Sequence, residues 1–132
     1  MSDQISVFAP ATVANVACGF DIMGLALENI GDELTITWTA DSQLSIGTIT
    51  GADNIPKAPE KNVCTVAIAA MLKALGKTQG FKIDITKHVA PGSGLGSSAS
   101  SAAGAAGAGV AESTGFTTKR PRISVTIDRT AI

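Results

Sequence analysis

The chain has 132 residues, 45% hydrophobic and 16% charged, with a formal net charge of -1. That length suits one ordinary domain and is short for two, and the apolar content excludes the disordered class, which combines few apolar residues with high net charge. The near-neutral charge gives no global field for nucleic acid, and the lack of Tyr removes much of the usual base-stacking platform, so no nucleic-acid partner is expected. The N-terminal MSDQISVFAP has neither a basic nor an apolar leader region, and no uncharged apolar stretch of about 18 residues occurs, so the expectation is a cytoplasmic protein with no membrane partner. Cys18 and Cys64 have no CxxC spacing and no matching His pair, and read as two buried small hydrophobes.

In chain order, Ile5 to Phe8 alternates and stops at Pro10, the pattern of a short strand. Residues 20 to 28 are apolar, Gly31-Asp32 supplies a turn signal, and in Glu33 to Thr39 the residues Leu34, Ile36 and Trp38 share one face against Thr35, Thr37 and Thr39. A hairpin turning at Gly31-Asp32 follows from that spacing. Leu44 to Ile49 reads as another strand, and residues 51 to 60, with Gly51, Pro56 and Pro59, as loop. Val63, Val66, Ala67, Ala70, Met71, Ala74 and Leu75 recur at helical steps, which predicts a helix from Asn62, its cap, to Leu75, with Gly76 at the C′ position. Phe81 to Val89 alternates again as a strand. Ser97 to Glu112, SSASSAAGAAGAGVAE, reads either as a helix of small residues or as a flexible low-complexity linker. As a helix it needs a tight packing partner, because each interior glycine costs about 1 kcal/mol relative to Ala. In the tail, Ile123, Val125 and Ile127 alternate with polar residues and permit one last strand.

Straight after the strand ending at Val89, and running into the small-residue segment, lies PGSGLGSSAS, residues 91 to 100. Glycines let backbone N–H groups approach an anion and adopt positive φ, and a following helix N-terminus adds free donors at the positive end of its dipole. The stretch is a phosphate cradle in form, and Ser97 and Ser98 can cap the helix or offer hydroxyl oxygens to phosphate or to a phosphate-bound Mg2+. No Lys occurs between Lys87 and Lys119, which excludes a P-loop. Gly94 to Ala99 also satisfies the G-x-G-x-x-A form of a Rossmann NAD(P) site, so that reading stays open beside the first. His88, the sole histidine, reads as a structural or surface residue.

Pro91, Gly94, Leu95, Gly96, Ser97, Ser98 and Ala99 resemble the nucleotide loop P-x-x-x-G-L-G-S-S-A of the GHMP kinases. Residues 9 to 27, APATVANVACGFDIMGLAL, are similar to the pattern P-A-T-x-A-N-x-G-x-G-F-D-x-L-G-L-A-L of that family's homoserine kinase branch. The resemblance implies an α+β fold of the ribosomal protein S5 domain 2-like type, a mixed or antiparallel sheet packed with helices, and ATP-dependent phosphorylation of L-homoserine. It implies that Pro91, Gly92, Ser93, Gly94, Leu95, Gly96, Ser97, Ser98, Ala99, Ser100 and Ser101 wrap the ATP phosphates, that Ser98 contacts Mg2+, and that Asn62 lies near the adenine. Asn15 and Asp21 stand where the family contacts its amino-acid substrate, and no catalytic base is nominated, since phosphoryl transfer proceeds largely by positioning and charge neutralisation.

Family members are much longer and have a second domain. The expectation is an incomplete N-terminal ATP-binding domain whose residues 113 to 132 do not resemble the family, with little activity alone because an acidic Mg2+ ligand and basic substrate-binding residues lie elsewhere. An uncovered apolar face is expected to drive self-association into a homodimer or larger species. A non-catalytic remnant serving as a binding or assembly module is the third reading.

Overall fold

The computed structural model describes residues 4 to 19 and 22 to 113, the side chains of the last four excepted. Four strands form one sheet: β1 (Gln4–Val13), β2 (Leu25–Thr39), β3 (Leu44–Thr50) and β4 (Gly80–Thr86), in spatial order β1-β2-β4-β3. The β1/β2 and β2/β4 pairs are antiparallel, and β3 and β4 are parallel, joined through helix α1 (Val63–Ala74). Helix α2 (Ser97–Ser113) follows β4 through the glycine-rich loop. The α+β class and the mixed sheet agree with expectation. A Rossmann site does not, because it needs a parallel doubly wound sheet and the strand feeding this loop runs antiparallel to β2.

Alternation explains which face is buried. Val7 and Ala9 on β1, Leu34 and Ile36 on β2, and Phe81, Ile83 and Ile85 on β4 point one way and pack with Cys64, Ile68 and Leu72 of α1 and Ala105 and Ala108 of α2. Trp38 meets Phe81 edge-on at 5.8 Å between ring centroids. On the opposite face the Ser6 and Thr35 hydroxyls are 3.0 Å apart, and Lys82 lies 3.6 Å from Asp84, a polar surface suited to water.

Four expectations change. Strand β1 runs through Pro10, which an outer strand tolerates because it has an unpaired side. No hairpin turns at Gly31-Asp32: β2 is continuous, and the register steps from Pro10↔Gly31 to Thr12↔Ala26, so the excursion falls on residues 27 to 30 with Asn29 at φ 60°. Gly31 is needed for close approach, since a Cβ there would stand 2.3 Å from the Ala9 carbonyl oxygen. Helix α1 forms with Asn62 as its cap, but it buries Cys64, Thr65, Ile68 and Leu72 and leaves Val66 and Leu75 about half exposed, at 50% and 49%. Its composition is apolar nearly all round, so periodicity alone did not select the inward face. Cys18 is exposed, and only Cys64 is buried. The possible strand at residues 123 to 127 lies outside the described residues.

The small-residue helix finds its partner. A Cβ on Gly104 would come within 2.5 Å of Leu34 Cδ1 and 2.9 Å of Ala9 Cβ, so α2 rides directly on β1 and β2. Gly107 has nothing within 4 Å of that position. Gly104→Val is therefore expected to destabilise the fold by about 1–3 kcal/mol through overpacking, whereas Gly107→Ala should gain up to about 1 kcal/mol from helix propensity. Urea unfolding of both variants checks this, and equal effects would refute the packing argument.

Candidate phosphate-binding site

The loop after β4 departs from the sheet because a side chain takes over its backbone donors. Lys87 N–H still donates to the Thr50 carbonyl at 2.8 Å, but the His88 and Val89 N–H groups donate to Asp32 Oδ1, each at 3.0 Å. Gly92, Gly94 and Gly96 then take φ of 79°, 77° and 69°, left-handed conformations open to glycine at little cost. Alternating left-handed residues of this kind form concave N–H surfaces suited to anions. At Gly96 a side chain is also excluded by space, because a Cβ would stand 2.3 Å from Thr12 Oγ1. Thr12 N–H donates to the Leu95 carbonyl at 3.0 Å, which ties the loop to the end of β1.

Helix α2 begins at Ser97. Ser97 Oγ donates to the Val89 carbonyl at 2.9 Å, closing the loop at its base, and so is not a free cap. Ser98 and Ala99 are exposed at the first turn, where helix N–H groups and the dipole favour an anion. Ser100 and Ser101 turn inward: their hydroxyls donate to Asp32 Oδ2 at 2.9 and 3.3 Å. Of the loop residues named from the sequence, those from Pro91 to Gly94 are exposed, while the side chains of Ser97, Ser100 and Ser101 are committed to the protein.

Asp32 and Lys87, which the sequence reading passed over, form a buried ion pair beneath the loop, with side-chain exposures of 0% and 2%. Lys87 Nζ also donates to the Ser97 carbonyl and to Ser101 Oγ, each at 3.0 Å. Burial works against the charge of Asp32, but the Lys87 ammonium, the Val89 and His88 N–H groups and the Ser100 hydroxyl outweigh it and hold the carboxyl below the usual range. The neighbouring Cys64 thiol is pushed up to about 11, chiefly by burial, so it is a packed, unreactive group.

The signal for the pair was present. Asp32 continues the inward register of Leu34, Ile36 and Trp38, and Lys87 that of Phe81, Ile83 and Ile85. The pairing of Glu33 with Thr86, extended by one residue, sets the two side by side.

Asn62 is 1% exposed and bonded at both ends of its amide: its Oδ1 accepts the Cys64 N–H at 3.0 Å, and its Nδ2 donates to the Pro56 carbonyl at 2.8 Å. It anchors a cleft lined by Asn54, Ile55, Pro56, Val63, Pro91 and Ser98 among others. The cleft volume is about 130 Å³, below the roughly 300–1,000 Å³ of pockets that enclose a small ligand. Asn15 is exposed just beyond Thr12, which touches the loop. Asp21 lies outside the described residues. His88 is exposed and contributes its backbone N–H, in line with a structural role. Among the described residues no group of three His, Cys, Asp or Glu side chains could hold a metal ion. No helix among them is long and apolar enough to cross a membrane.

The sheet, the glycine loop and the helix it feeds define a kinase domain of one family. Residues 62–121 match the family model described as GHMP kinases N terminal domain, a match that runs past residue 112 into the tail. That stretch and the fold around it are those of the N-terminal domain of GHMP kinases. Within that family its relatives include homoserine kinases. It is 42% identical to the homoserine kinase of Chloroherpeton thalassium, with 74% of this chain and 34% of that protein covered. Against that of Methanocella arvoryzae the figures are 44% identity, 74% and 30%. The crystal structure of homoserine kinase from Cytophaga hutchinsonii superposes with a TM-score of 0.81 at 44% identity, covering 90% of this chain and 38% of that one. The chain thus spans about a third of the length of the curated relatives it matches.

The Asp32 carboxyl, lowered on folding, stabilises the fold above its unfolded value of about 4, and that contribution is lost as pH falls through the lower folded value. Asp32→Asn is expected to cost about 3–5 kcal/mol at pH 7 by leaving Lys87 charged and unpaired. It should also flatten the loss of stability below about pH 4. Urea unfolding of both proteins at neutral and acid pH measures this, and unchanged stability at pH 7 would refute it.

Proposed function

We propose that the chain forms the ATP-binding part of a cytoplasmic homoserine kinase, which transfers the γ-phosphoryl group of ATP to the hydroxyl of L-homoserine. The observation that carries the proposal is the glycine loop, with three left-handed glycines leading into an open helix N-terminus. Such a loop suits a polyphosphate: its N–H groups and the first turn of α2 neutralise charge without a lysine at the ligand. Exposed Ser98 offers a hard oxygen of the kind Mg2+ prefers, and the bound ion would neutralise phosphate charge. Asn62, held on Cys64 and Pro56, shapes the wall where the adenine would lie. Asn15, at the same end of the sheet as the loop, and Asp21 are assigned to the amino-acid substrate on the strength of the family pattern. This chain's part is binding and orientation, which supply much of the catalysis in phosphoryl transfer.

Isothermal titration of the chain with Mg·ATP tests the proposal. Binding is expected, weakened roughly tenfold or more in Ser98→Ala if that hydroxyl makes a charge-assisted contact. A folded chain that binds no nucleotide would instead favour the non-catalytic module.

Self-association is part of the same proposal. Ile22, Met23, Leu25 and Ile30 are exposed at 46% or more, a clustered stretch of apolar surface before and along β2. Size-exclusion chromatography at micromolar concentration is expected to show a species larger than the monomer, and a monomeric profile would count against it.

A further inference from the structure

We infer that the Asp32–Lys87 pair is a positioning device for the phosphate loop, acting on the geometry in which the loop's N–H groups meet a polyphosphate. The inference deepens the proposed function and rests on it. Both ends of the loop are fastened to this one pair. Asp32 Oδ1 holds the N–H groups of His88 and Val89, where the chain enters, and Lys87 Nζ holds the carbonyl of Ser97, where it leaves. Ser97 Oγ completes the clasp on the Val89 carbonyl.

Little else holds the loop's tip. Gly92 and Gly94 have nothing within 4 Å of where a Cβ would stand, so no packing imposes their left-handed conformations. Among the described residues the tip's bonds are local, Ser93 N–H to the Ala90 carbonyl and Leu95 N–H to Ser93 Oγ at 3.4 Å, apart from the tie to Thr12. Its shape is set from its two ends.

Lys87 does not act as a phosphate ligand in this arrangement. Its ammonium has three donors, and three acceptors take them: Asp32, the Ser97 carbonyl and Ser101 Oγ. Lys87 lines the cleft, but its side chain is 2% exposed and its donors are already taken. A buried ion pair is also a weak source of stability, since an uncharged pair of similar volume often serves as well. What the uncharged pair would lack is the donor to Ser97.

The double variant Asp32→Asn/Lys87→Met separates the two roles. The Asn carbonyl can keep the His88 and Val89 N–H groups and its amide can donate to Ser100 Oγ, while Met fills the lysine's volume without a charge. The expected result is an unfolding midpoint closer to the unaltered chain than that of either single variant. Amide exchange at residues 92 to 98 should be faster while that of β2 and β4 is unchanged. If the loop then holds its binding geometry about a tenth of the time, the Kd for Mg·ATP rises about tenfold. A stable double variant that binds Mg·ATP like the unaltered chain, or whose loop exchanges no faster, would overturn the inference. If the double variant does not fold, Ser101→Ala, which removes one of the three acceptors, should still quicken loop exchange, and no change there would equally overturn it. Failure of the unaltered chain to bind Mg·ATP is a separate result, which overturns the phosphate-cradle reading beneath it.

Discussion

A carboxylate and an ammonium buried side by side organise this domain. Asp32 sits in the middle of β2 and Lys87 just past the end of β4, and between them they accept from or donate to both borders of the glycine loop and the first turns of α2. A buried charge tolerates such a place only if its capacity for hydrogen bonds is filled, and here each oxygen of Asp32 and each donor of Lys87 has a partner. The sheet ends where it does for the same reason: the next backbone N–H groups bond to a side chain. Loop, helix start and strand end are thus one construction.

The second constraint is steric. Helix α2 is made of residues with little or no side chain because it lies close against β1 and β2, where Gly104 faces Leu34 and Ala9, and against α1, where Gly109 faces Met71. A helix so rich in glycine is weak by itself, and its stability comes from this contact. Close seating also brings its N-terminus to the loop's exit, so that helix dipole, free N–H groups and glycine turns face one region. Packing that costs helix propensity therefore serves the site.

The described residues form a small open cleft beside an exposed glycine loop. The cleft beside Asn62 is small, the phosphate loop lies open, and the apolar residues from Ile22 to Ile30 face outward. These features suit the N-terminal domain of the GHMP kinases, and the chain covers 34% of one homoserine kinase relative. Within the proposed function, binding energy from this chain would serve to place a phosphoryl group.

The strands at Leu34 to Trp38 and Phe81 to Ile85, the capped helix after Asn62 and the phosphate loop were all legible in the linear pattern, because period-2 alternation, caps and glycine spacing are local properties. The inward face of α1 was not, since a helix apolar nearly all round carries no directional signal until a sheet selects Cys64, Ile68 and Leu72 over Val66 and Leu75. Nor was the role of Gly31-Asp32, where a turn-like dipeptide is held in a strand by the close approach of Ala9 and by the pairing of β2 with both neighbours. The sequence by itself determined that a glycine-rich loop with the form of a phosphate cradle would follow a strand and precede a small-residue segment, and left open whether that segment was helix or linker. Only the tertiary structure decided what holds that loop, because Asp32 and Lys87 are 55 positions apart and become partners solely through the register of β2 against β4.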